Sequence, residues 1–389
     1  MKNEYGFDVI PITQGPNHHF FGYYDIQTWD SAGKYVLALE ATFDDRFPKA
    51  EETATIGMAE WGTRKFHPLA ETHAWNHQQG CMLHWLPTAP DREIIYNDRE
   101  GDRYVSVIMD VFTGKKRVLP RPVAGLTIDG RKAFSLNYAR MRQCRMCVGY
   151  AGLDDPNIDV PHPEDDGLFL MDLETGDSDL IVSFAEAFDV NPEDEFRDEV
   201  MWFNHTTVNT DDTRLQWHAC YAPKKGPLAG NPRVSALFVS NLDGSGVTKL
   251  TPQLHVSHWD WLDPDHLMIW TNMDGQGECF YLINVVTRDF EPVARDAITR
   301  DGHCCFTRDG KRLVVDTYPD KETRLQTLQL WYTQEERLEI MGRFYSPRFV
   351  GEARCDLHPR WDRQERWISF DSVHEGSRQV YALDTTGKD

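Results

Sequence analysis

Seven stretches of the chain share one pattern: a short apolar segment, a polar turn, then a longer run dominated by apolar side chains. They read HHFFGYYDIQTWDSAGKYVLAL from His18, NHQQGCMLHWLPTAPDREIIYN from Asn76, LTIDGRKAFSLN from Leu126, NHTTVNTDDTRLQWHA from Asn204, SHWDWLDPDHLMIWTN from Ser257, GHCCFTRDGKRLVVDT from Gly302 and LHPRWDRQERWISFDS from Leu357. Their turns centre on Gly33, Asp91, Gly130, Asp212, Asp265, Gly310 and Glu365, at intervals of 58, 39, 82, 53, 45 and 55 residues. A period of about fifty residues with several short strands per unit marks a β-propeller. Most units carry a second hairpin, such as VIMDVFTGKKRVL from Val107 and LFVSNLDGSGVTKL from Leu237. Two hairpins make a four-stranded blade. The pattern therefore predicts an all-β, seven-bladed propeller over residues 1–389, as one domain.

The long interval predicts an insertion around residues 151–166 and 184–203, rich in Asp, Glu and Pro, as a surface loop. The last unit reaches Asp389 after about three strands, while GFDVIPIT from Gly6 alternates like a strand with no partner of its own. That N-terminal strand is expected to complete the last blade and close the ring, leaving no open edge.

Composition supports one large domain: 40% of residues are hydrophobic, with twelve Trp and twenty Phe to fill the spaces between blades. A net charge of −21 argues against nucleic acid, whose phosphates need a basic surface. No apolar run is long enough to span a membrane. The start, MKNEYGFDVIPITQG, lacks the apolar region of a signal peptide, which points to the cytoplasm. The eight cysteines are irregularly spaced, unlike a disulfide framework, and the one CxxC, Cys144–Cys147, reads as a partly buried turn more readily than a zinc or redox site.

His19, His77, His205, His258, His303 and His358 stand at about the same place in their units, ahead of the turn. In a propeller that place is the start of the innermost strand, so these residues converge on one face of the disc. One histidine alone is most simply a packed, hydrogen-bonded residue of its own blade; the recurrence points instead to metal binding or proton transfer. Asp356 and His358 are two apart and face the same way on a strand. With Cys355 and with His303 from the preceding blade they offer up to four ligands of the tetrahedral zinc type. A second set comprises His77, Asn97 and Tyr138, with Arg140, Arg142 and Arg145 nearby, and suits proton abstraction next to a carboxylate. Its bland alternative is a strand tyrosine and surface arginines.

The blade arrangement resembles the seven-bladed propeller polysaccharide lyases, the oligogalacturonate lyases and more distantly the ulvan lyases, over the whole chain. GHCCFTRDGKRLVVDT resembles the strand that carries a metal histidine, which implies that role for His303. DLHPRWDRQERWISFDSVHEGSRQVYAL resembles the final blade, where a His-Pro-His-Pro segment supplies two ligands; His358 matches the second and Asp356 replaces the first. VSHWDW resembles the strand with the catalytic histidine and implies His258 as base. A glutamine ligand of the family is unmatched here, with Ala353 near its place and Cys355 closer in, which shifts the expected metal from manganese towards zinc. The family's substrate arginine has only Arg233 nearby, out of register. The order His77, Asn97, Tyr138 resembles the ulvan-type proton-transfer set.

The resemblance implies a lyase that cleaves a uronate-containing oligosaccharide or polysaccharide by β-elimination with a divalent metal, zinc or manganese. Two versions stand open. In one, the metal at His303 and His358 binds the substrate carboxylate and His258 is the base. In the other, His77 and Tyr138 move the protons while the metal only joins two blades. His205 joins the candidate catalytic residues, and His19, Asn97, Arg140 and Arg145 the candidate substrate ligands. The rival class is a non-catalytic propeller acting as a binding scaffold. A peptidase propeller finds no support, since the sequence has no GxSxG elbow.

Overall fold

The two ends of the chain meet in one sheet. The computed structural model describes residues 2–222, 234–252, 255–347 and 353–386. They form seven antiparallel four-stranded sheets. Six sheets run in chain order, over residues 18–72, 84–119, 125–183, 200–249, 259–293 and 304–345; these are blades one to six. Blade seven takes three strands from the C-terminal end, Arg360–Trp361, Trp367–Ser372 and Gln379–Asp384. Its fourth strand is Val9–Pro11, paired Val9 with Leu383, Ile10 with Ala382 and Pro11 with Tyr381. The expected ring closure by the N-terminal strand is therefore present.

The strand Tyr35–Ala41 shows why the apolar runs are nearly continuous. Leu37 and Leu39 pack with Trp75 and Ile94 towards blade two, while Val36 and Ala38 pack with Val380 and Ala382 of blade seven. A blade buried on both faces needs apolar side chains at successive positions, not only at alternate ones. Side-chain caps close the first hairpin in several blades. Asp30 accepts from the Lys34 and Tyr35 amides, and Asp362 does the same for Arg366 and Trp367. These turns lie at one end of the inner strands, and the histidines at the other.

The insertion is partly helical, which the sequence reading as a surface loop did not foresee. Within it, Ser183 with Glu186 forms a capping box on Phe184–Asp189, and ahead of it Asn137 caps the helix Tyr138–Cys144. Among the described residues no helix is long and apolar enough to cross a membrane. All eight cysteines are free thiols.

Candidate functional site

Gly302 and His303 precede the inner strand of blade six, Cys304–Phe306, whose register sets Cys304 opposite Val315. His303 therefore lies opposite Asp316. The Asp316 carboxylate accepts from the His303 amide at 2.7 Å and lies 2.9 Å from Nδ1. It also accepts from the His358 amide at 3.2 Å, so one carboxylate ties two blade entrances together. A side chain at Gly302 would collide with the Asp316 backbone carbonyl, so only glycine allows this approach. His358 has a left-handed backbone, φ 45°, a conformation histidine tolerates better than most residues.

One nitrogen each of His303 and His358 and one oxygen of Asp356 lie within 4.8 Å of one another, and all three residues are buried. Bonding of His303 Nδ1 to Asp316 fixes the tautomer that leaves Nε2 as a free lone pair. Neither ring nitrogen of His358 has a hydrogen-bond partner among the described residues. Such orphaned nitrogens are costly unless something binds them. The Arg354 Nε lies 2.9 Å from both Asp356 oxygens, while Asp301 lies 2.8 Å from His258 Nδ1. Burial opposes charge on His303, yet Asp316, Asp356 and Asp301 outweigh it and raise its pKa. A buried carboxylate, a fixed tautomer and an orphaned imidazole together fit a divalent cation held by His303, Asp356 and His358.

Beside this cluster, His258 lies against His303 with ring centroids 4.0 Å apart and planes tilted by 51°, and His303 lies 4.2 Å from His358. His258 Nδ1 is 2.8 Å from Asp301, and Nε2 is 3.3 Å from the Tyr318 hydroxyl. Burial, with the neighbouring His303, brings the His258 pKa down to about 4, so the ring is uncharged at neutral pH. The Arg354 guanidinium lies over the Tyr318 ring at 4.8 Å. Tyr23 and Tyr24 pack against the histidine rings. Tyr24 lies 5.2 Å from His303 and 5.8 Å from His258, and its hydroxyl donates to the Trp259 carbonyl at 3.2 Å. Arg360 holds the Tyr23 carbonyl at 3.2 Å and pairs with the buried Asp371 at 3.0 Å.

The expected ligand set changes in one member. Cys355 is buried and outside the cluster; its thiol contacts the Asp356 carbonyl at 3.8 Å, and burial pushes its pKa up to about 12, so it stays protonated. His205 faces the axis, with Nε2 3.0 Å from Asp25 and its ring stacked on Trp259.

The second constellation is built into the framework. Tyr138 opens a helix rather than lying on a strand; its hydroxyl donates to the Val123 carbonyl at 3.0 Å and its ring stacks on Tyr150. The Asn97 amide bonds the Val123 carbonyl, the Val123 amide and the Tyr150 hydroxyl. Arg140 directs all its donors to Met201, Asp155, Asn157, Val160 and Pro161, clamping the insertion and leaving none for a ligand. Arg145 ends the same helix, half-buried. His77 packs on Phe20, Phe43 and Trp75, and its Nε2 donates to the Phe43 carbonyl at 3.1 Å. His19 is held between Gln379 at 3.0 Å and Glu40 at 3.2 Å. Cys144 and Cys147 are buried thiols, and Arg233 lies outside the described residues.

Asp301, Asp316, Tyr318 and Arg354 escaped the sequence reading. The hairpin register of the sixth unit, read outwards from its DG turn, already places Asp316 opposite His303.

No family model and no curated protein matches the sequence. Among solved structures the chain is similar to an oligogalacturonate lyase from Vibrio parahaemolyticus, with 16% identity over 100% of this chain and 96% of that one and a TM-score of 0.68. It is similar to an oligogalacturonate lyase in complex with manganese, with 16% identity over 99% and 94% of the two chains and a TM-score of 0.70. The propeller domain of the trilobed protease from Pyrococcus furiosus follows at 11% identity, 94% coverage of both chains and a TM-score of 0.52. The likeness is one of fold.

Proposed function

We propose that this propeller is a lyase that cleaves a uronic-acid-containing oligosaccharide by β-elimination, with a divalent metal at His303, Asp356 and His358. The observation that carries the reading is the placement of that cluster directly against the His258–Asp301 and His258–Tyr318 contacts at one mouth of the axis. The fold shared with oligogalacturonate lyases, one of them in complex with manganese, supports the same reading.

The reaction removes the proton from C5, moves that electron pair into a C4–C5 double bond and breaks the bond from C4 to the glycosidic oxygen, which takes up a proton. C5 is a weak acid because the adjacent carboxylate resists further negative charge. A divalent cation at the cluster supplies positive charge that lowers this cost. His258 is the base: Asp301 holds Nδ1, so Nε2 presents its lone pair, and Asp301 stabilises the imidazolium that forms. Tyr318, whose hydroxyl lies 3.3 Å from Nε2 and gives that nitrogen up to the C5 proton, is placed to donate its own proton to the leaving oxygen and to regain one from the His258 imidazolium. Asp316 holds His303 and the His358 loop in position. Two imidazoles and a carboxylate, without a thiolate, suit manganese as well as zinc.

The test is incubation with galacturonate, glucuronate-containing and ulvan oligomers, following the near-ultraviolet absorbance of an unsaturated uronate. A signal that disappears on chelation and returns with added manganese or zinc supports the proposal. Absence of cleavage across the panel, with no metal bound, favours a binding scaffold instead.

A further inference from the structure

We propose that Arg354 is the residue that receives the substrate's carboxylate, so that this enzyme selects free uronic acids over their esters. This rests on the lyase reading above. Arg354 enters from the segment before blade seven, and Gln78 of the neighbouring loop fixes its backbone by donating to its carbonyl at 3.1 Å. Its side chain is 24% exposed, whereas Asp356 beneath it is 1% exposed. The pair is made through Nε alone, at 2.9 Å from both carboxylate oxygens. No acceptor among the described residues is hydrogen-bonded to its terminal nitrogens. The guanidinium plane is held over Tyr318 at 4.8 Å, and Tyr318 reaches the His258 ring at 3.3 Å.

These contacts fix a planar cation through Nε and leave its two terminal nitrogens without an acceptor among the described residues, against Tyr318, which itself contacts the base. That fork matches a carboxylate in two-point contact, which a lysine does not reproduce. When Asp356 also shares its charge with a cation, Arg354 is undercompensated, and an arriving carboxylate restores the balance. A carboxylate docked there brings C5, one bond away, into the neighbourhood of His258.

The experiment compares wild type, Arg354→Met and Arg354→Lys on a uronate oligomer and its methyl ester, with bound metal measured alongside because Arg354 also holds Asp356. Wild type is expected to favour the free acid, and Arg354→Met to lose about ten- to hundredfold in kcat/KM on the acid but much less on the ester. Arg354→Lys should fall between, since it keeps the charge without the fork. An acid preference equal in wild type and Arg354→Met, at equal metal content, overturns the assignment while the lyase reading stands. If wild type cleaves neither substrate, the lyase reading fails. Calorimetric binding of galacturonate and glucuronate then decides for Arg354 separately: loss in Arg354→Met supports it, and no binding to wild type overturns it.

Discussion

His303 and Asp316 face each other across the first hairpin of blade six, with Nδ1 2.9 Å from the carboxylate, and the same carboxylate holds the His358 amide at 3.2 Å. One side chain thus orients the His303 imidazole and holds the His358 backbone although it is not a ligand itself. Asp316→Ala is expected to weaken manganese or zinc binding about 10- to 100-fold, the usual cost of losing such a support. Titration of the metal-free protein checks this; unchanged affinity would mean that the cluster does not hold the metal.

The two proton-transfer versions separate cleanly. His258→Ala is expected to lower kcat by about two to four orders of magnitude with folding intact. His77→Ala is expected to act on stability, because His77 is 3% exposed among Phe20, Phe43 and Trp75 and its ring nitrogen is bonded to the Phe43 carbonyl. Steady-state kinetics and thermal melts of both variants give the answer; the opposite pattern would move the chemistry to blade two.

Stability should fall in mild acid. Burial lowers the pKa of His77 from 6.5 to about 3 and that of His84 from 6.5 to about 4. Both rings are neutral in the folded state, while in the unfolded chain they take up protons below about pH 6.5. Their contribution is therefore complete above pH 6.5 and is lost as the pH falls towards 4, at about 1.4 kcal/mol per pH unit for each histidine. Urea denaturation at pH 7.5 and pH 5, repeated with His77→Phe, should show a shallower dependence in the variant. An unaltered slope would contradict the assignment of His77.

Ring closure depends on very few residues. Val9–Pro11 supplies the edge strand, and Phe7 and Ile12, each 1% exposed, seal its two ends. Removing residues 2–14 forfeits the burial of those two side chains, about 3–6 kcal/mol together, besides the strand pairing. A sharply lowered melting temperature is expected; an unchanged melting curve would rule out a structural role for the closure.

Architecture was legible because it rests on repetition: each of seven units repeats an apolar strand and a polar turn, and Asp30 and Asp362 do the same work at opposite ends of the chain. The axis-facing set His205, His258, His303 and His358 was legible for the same reason. His19 and His77 were harder, because they share the repeat position but one ring nitrogen of each is bonded within the framework, to Gln379 and to the Phe43 carbonyl. The Arg140 reading failed because a cation near a cleft looks the same in sequence whether it binds a ligand or, as here, clamps the carbonyls of an insertion. Cys355 failed through side-chain direction, which strand alternation does not fix at a strand mouth. Arg354 was hidden because its position is set by Asp356 and Tyr318, residues 2 and 36 positions away along the chain, rather than by the repeat.

The central claim is elimination at a uronate, and the products of one cleavage test it most directly. Proton NMR and mass spectrometry of a defined galacturonate oligomer treated with the manganese-loaded protein should show a vinylic C4 proton, loss of the C5 proton, and fragments whose masses sum to that of the substrate. Fragments that together gain one water and carry no vinylic signal would establish hydrolysis and contradict the account.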